Sequence, residues 1–154
     1  AMGWFDPTTP VSATLRHGFE RFWFAARDGV EAQVGWIESE LAECGDAPAF
    51  VFMNVGETHV PYHFKGAPWP EEDNPCVPFQ AEDRAEDCRL RQTACAEFVD
   101  ARLAGLLGRF KDATILICAD HGDCWGEDGL WEHGFSHEMT LTVPLVLRYR
   151  GRPV

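Results

Sequence analysis

Apolar and polar positions along the chain alternate between helical and extended spacing. Between residues 28 and 43, Val30, Val34, Ile37 and Leu41 recur at helical intervals, with Glu31, Glu38, Glu40 and Glu43 on a solvated face and Gly45 as a stop. Residues 49–55 (AFVFMNV) are almost continuously apolar, the pattern of a strand covered on both faces. Pro61 to Phe79 contains five prolines and predicts an irregular loop. A long helix follows from Gln80, or nearer Arg84, to Phe110. Its apolar stripe runs through Leu90, Ala94, Phe98, Ala101, Leu103, Leu106, Leu107 and Phe110, and Arg89, Arg91 and Arg102 fall largely outside it. Residues 114–119 (TILICA) predict a second buried strand and residues 143–149 a third. Nearer the start, Trp4 to Pro7 reads as an extended entry, and Thr9-Pro10 opens a short helix toward His17.

Strand, helix and strand in that order predict a right-handed crossover, with residues 49–55 and 114–119 parallel in one sheet. Two polar strand ends then meet at one sheet edge, where α/β folds place their ligands. One carries Gly56-Glu57-Thr58-His59, the other Asp120-His121-Gly122. A carboxylate and an imidazole can share a divalent metal, and Gly122 gives the backbone room to turn. Asp123, Glu127, Asp128, Glu132, His133 and His137 lie within seventeen residues of Asp120, a dense supply of ligand-type groups. His17 has no ligand partner nearby and is expected on the surface.

Composition narrows the partners. At 154 residues the chain is one domain with enough length to bury a core. Thirteen basic against 25 acidic residues give a net charge of −12, a field that repels nucleic acid and anionic membranes. No apolar run reaches the ~20 residues of a membrane span. The N-terminus lacks the basic start and apolar stretch of a secretory leader, so a cytoplasmic setting is expected. The six cysteines form no Cys-x-x-Cys pair and are expected as reduced thiols, with Cys124 a bystander in its loop. Phe19, Phe22, Trp23 and Phe24 form an aromatic cluster, read as packing surface or a face for a partner segment.

The string Asp120-His121-Gly122, Gly126-Glu127-Asp128-Gly129-Leu130-Trp131, His133-Gly134 and Val143-Pro144-Leu145 resembles the C-terminal signature of sulfatase-like enzymes of the alkaline phosphatase superfamily. Residues 50–62 (FVFMNVGETHVPY) resemble that family's strand ending in a His-x-Pro segment. The likeness covers roughly residues 49–147, and the first 48 residues match less distinctly. It implies an α/β, alkaline phosphatase-like, three-layer sandwich fragment with a mainly parallel sheet. It also implies metal ligation by Asp120 and His121, contact of His59 with the ester oxygens, and protonation or stabilisation of the leaving group by His133. The metal would be divalent, with zinc or manganese favoured by His121 and magnesium or calcium possible.

The family's nucleophile and first acidic ligands come from an N-terminal half that has no counterpart here. The expected function is therefore part of a metal-dependent hydrolase or transferase for small phosphate or sulfate esters, inactive by itself. Its partner would be the missing half or a second copy. Two alternatives stay open: a metal- or ligand-binding remnant without turnover, and an interaction module docking through its aromatic N-terminal segment.

Overall fold

The computed structural model describes residues 10–25 and 29–154, so the expected entry at Trp4 to Pro7, the Thr9 cap and Asp28 lie outside them. In chain order the elements are α1 (Pro10–Leu15), α2 (Val30–Cys44), α3 (Ala85–Arg109), β1 (Ile115–Cys118), β2 (Cys124–Trp125), β3 (Trp131–Glu132), α4 (Glu138–Leu141), β4 (Leu145–Tyr149) and β5 (Arg152–Pro153). Helix boundaries fall close to the periodicity. Strand pairing does not follow the expectation.

Among the described residues there is no mainly parallel sheet, and the three-layer alkaline phosphatase-like sandwich is not the fold. One sheet has the order β1-β4-β5 and the other is the β2-β3 pair. Every pairing is antiparallel: Ile115 faces Arg148, Cys118 faces Leu145, Arg148 faces Pro153 and Trp125 faces Trp131. Residues 49–55 contribute only an isolated bridge at Asn54, so α3 is no crossover between parallel strands. Instead Val51 and Met53 pack against Ile37, Leu41 and Leu106 of α2 and α3, while Phe50 and Phe52 turn outward and meet Phe19. A short apolar run is compatible with a covered strand and with an extended segment laid along helices, and periodicity cannot separate them. The predicted buried strand β1 is itself largely exposed.

Helix α3 joins the two cores. Cys88 and Cys95 pack with Val60, Tyr62 and Cys76 in one, and Leu106 packs with Ile37 and Leu41 in the other. The buried face of α3 is Cys88, Arg91, Cys95, Val99 and Leu106, whereas Leu90 of the expected stripe is exposed. Thiols act here as small apolar groups and define the inward face. Arg91, expected outside, is buried and ties the proline-rich loop to the helix. It donates to Asp73 O at 2.8 Å, pairs with the carboxylates of Asp73 and Asp87, and lies over the Trp69 ring. At the other end Arg148 Nη2 donates to Leu107 O and Phe110 O, both at 3.0 Å, satisfying carbonyls that the end of α3 leaves open.

Candidate metal centre

Three loops bring histidines to one place. The first, residues 56–63, is fastened by buried Glu57, whose Oε1 accepts the Val30 N–H at the start of α2 at 2.7 Å. Two successive turns follow, His59 N–H to Gly56 O and Tyr62 N–H to His59 O. Tyr62 has φ +58°, a left-handed conformation that costs a bulky residue on the order of 1–3 kcal/mol. Complete burial of the ring and a bond from Trp69 Nε1 to Tyr62 O hold it there.

The second loop leaves β1 at Asp120-His121-Gly122. A Cβ on Gly122 would lie 2.1 Å from Met139 O, so only glycine lets this loop pass the backbone of α4, and Gly122 N–H donates to Thr140 O there. The third leaves β3, where Glu132 takes φ +64° and its Oε1 accepts from Asn74 Nδ2. His133 follows immediately.

Candidate ligand atoms of His59, His121 and His133 all lie within 4.8 Å of one another. The His121 and His133 rings stack with centroids 3.9 Å apart, and His59 meets His133 edge-on at 4.9 Å. Each ring has its Nδ1 committed to an oxygen: His59 to Val60 O at 2.9 Å, His121 to Gly122 O at 3.0 Å, His133 to Asp123 Oδ1 at 2.7 Å. Carbonyls accept only, so His59 and His121 are Nδ1–H donors, and the buried Asp123 carboxylate favours the same tautomer in His133. That tautomer puts the lone pair on Nε2 in all three rings, and a metal-binding histidine commonly donates its other N–H in this way. Burial, reinforced by the neighbouring His133 and His121, holds the His59 pKa below its ordinary value despite its bond to Val60 O. The ring is thereby kept neutral, the form a metal needs.

Asp120 touches only one corner of this group. Its Oδ1 lies 3.8 Å from His121 Nε2 and accepts the His121 N–H, and its side chain is 75% exposed. His137 faces elsewhere and caps α4: its Nδ1 accepts the Met139 N–H, and the Thr140 hydroxyl bonds back to its N–H. Cys124 sits beside His137, with Sγ 3.2 Å from Nδ1. Burial and then the carboxylates of Glu127 and Asp123 push its thiol pKa up. His17 is exposed, lining an open groove with Phe19, Trp36 and Phe50.

Of the residues expected to bind metal or ester, the structure thus unites His59, His121 and His133 and leaves Asp120 at the margin. It adds two that sequence did not single out, Asp123 and Tyr62. Asp123 stood undistinguished among several acids, and Tyr62 closed the His-x-Pro string without a role. Only burial sets them apart. Comparison with family models, with curated proteins and with solved structures returns no match.

Proposed function

We propose that this chain supplies the metal-holding part of a hydrolase or transferase for phosphate or sulfate esters, with a divalent metal on His59, His121 and His133. The observation that carries it is the convergence of three imidazoles whose Nδ1 atoms are each engaged by an oxygen. Tetrahedral zinc, with bonds of about 2.0–2.1 Å, holds its ligands roughly 3.4 Å apart, within reach of a small closing of these rings. Neutral imidazoles favour zinc, then manganese, over magnesium or calcium, which prefer oxygen ligands.

Three protein ligands leave a fourth position for water or an ester oxygen, and Asp120 stands ready as a further carboxylate ligand. Once bound, such a metal neutralises an anionic ester and acidifies water. A chain of net charge −12 needs that local positive charge to attract an anion. The buried, protonated thiol of Cys124 is a poor nucleophile. The attacking group then comes from another polypeptide segment, in keeping with the resemblance to sulfatase-like enzymes in the residues around His59 and Asp120.

Equilibrium dialysis against zinc with elemental analysis tests the site. One metal per chain is expected, and its loss in His121→Ala. Wild-type affinity in that variant overturns the proposal. The isolated chain is expected to cleave a chromogenic aryl phosphate or sulfate no faster than metal alone. Metal-dependent turnover well above that control would mean that the nucleophile is already present.

A further inference from the structure

We infer that Tyr62 and Asp123 form a buried relay that positions His133 and sets the affinity of the metal centre, an inference that rests on the function proposed above. Asp123 is the hub. Its side chain is only 4% exposed, and its two oxygens are divided between partners: Oδ1 takes the His133 Nδ1–H at 2.7 Å and Oδ2 takes the Tyr62 O–H at 2.8 Å. The Tyr62 oxygen in turn accepts the Trp125 Nε1–H at 2.8 Å. An indole N–H can only donate, so the Tyr62 oxygen accepts from Trp125 and its own O–H is left to donate to Asp123 Oδ2. Trp125 therefore polarises the Tyr62 hydroxyl toward Asp123, and Asp123 holds the His133 ring in the tautomer with its lone pair on Nε2.

The relay ties the loop of the first histidine to the β2–β3 pair and the histidine that follows it, segments far apart in sequence from that loop. Tyr62 is fully buried in a left-handed backbone conformation, a cost that its hydroxyl bond to Asp123 helps offset. Without Asp123, His133 would lose both the anion behind its ring and the constraint on its rotation. Without the Tyr62 hydroxyl, Asp123 would keep its charge but lose the bond that orients it. Asp123 and Tyr62 are positioning residues; neither is placed to touch the metal.

The test uses cobalt(II) as probe with the full chain and three variants: Asp123→Asn, Tyr62→Phe and the double substitution. Affinity is read from the cobalt absorption bands. Asp123→Asn is expected to weaken binding by about 10–100-fold. Tyr62→Phe is expected to weaken it by roughly two- to tenfold, the equivalent of one net hydrogen bond. In the Asp123→Asn background Tyr62→Phe is expected to change nothing further, because it acts through Asp123. Equal loss from Tyr62→Phe in both backgrounds overturns the relay, since it would make Tyr62 a general packing residue. A metal-free readout separates this inference from its parent. Nitrogen NMR of the apo protein should show His133 as the Nδ1–H tautomer, with mixed tautomers in Asp123→Asn. That tautomer without cobalt binding would sink the metal proposal and leave the relay standing. A mixed His133 tautomer in the wild-type protein overturns the relay whatever the metal does.

Discussion

The corner that gathers the histidines and the sheet of β1 and β4 are built by opposite rules. The corner consists of loops and two-residue strands, yet Tyr62, Cys76 and Cys124 are fully buried, and Asp123 is nearly so. The sheet has the longest regular pairing among the described residues, yet Leu116, Ile117, Leu145 and Val146 are 41–63% exposed. Leu116 and Ile117 are neighbours and so point to opposite faces, which means that both faces show apolar side chains. Regular backbone pairing and burial are therefore separate properties. A ladder satisfies its own amides wherever it lies, whereas a cluster of imidazoles and a buried carboxylate needs packing on every side. Here that packing comes from α3 and the proline-rich loop.

If the corner is a specific site, removing one ring should have the largest effect of any single change. His121→Ala is expected to lower zinc affinity at least about a hundredfold, more than the loss of a supporting hydrogen bond would cause. Because His121 is partly exposed, apo stability should stay within about 0.5 kcal/mol of wild type. Asp120→Ala should cost less affinity, and His17→Ala none. Calorimetric titration of the three variants checks the ranking. Equal losses in His121→Ala and His17→Ala would erase the distinction between site and surface.

The next effect is on stability and comes from the pin beneath the site. Arg91 is buried, but its partners Asp73 and Asp87 are each about one-third exposed. Removing one member of a fully buried pair costs about 3–5 kcal/mol; partial hydration of the two carboxylates brings Arg91→Met to about 2 kcal/mol. Urea unfolding measures it, and a loss under 0.5 kcal/mol would show that the loop is held by packing alone.

What the sequence revealed follows the same division. Helices α2 and α3 were legible because their period and stops are local properties. The histidines were legible because ligand-type residues next to glycine are conspicuous. Residues 49–55 were misread as a covered strand because a run of apolar residues carries no record of what covers it. Arg91 was misread because a charged residue on a helix is ordinarily solvated, and nothing local announces Asp73 as its partner. Asp123 could not be told from Glu127 or Asp128, since burial distinguishes them and burial is a long-range outcome.

Acid should separate the two regions more gently. Arg84 first and Arg91 next, through hydrogen bonds to the Asp73 carboxylate, hold its pKa well below the usual range. A carboxyl depressed in the folded state binds fewer protons than in the unfolded chain. It thus contributes stability above the unfolded pKa of about 3.9, which is lost as pH falls below that value. Solvent screening limits the contribution to under about 1 kcal/mol. Unfolding midpoints between pH 5 and pH 3 should fall in the wild type and fall less in Asp73→Asn. Parallel curves would remove Asp73 from the account.

The smallest expected effect tests the other side of the comparison. Leu116 and Val146 are about 60% exposed, so replacing each with threonine removes little buried apolar area and leaves both positions with a β-branched side chain that suits a strand. Leu116→Thr with Val146→Thr should change unfolding free energy by no more than about 0.5 kcal/mol and leave zinc affinity untouched. The contrast is Leu106→Ala in the α2–α3 core, where Leu106 is 5% exposed and truncation should cost about 2–5 kcal/mol. Chemical denaturation of both variants settles which apolar residues this fold depends on. A loss above 1.5 kcal/mol from the two threonines would mean that the sheet is covered in solution, and that its exposed faces and the buried corner belong to one continuous core.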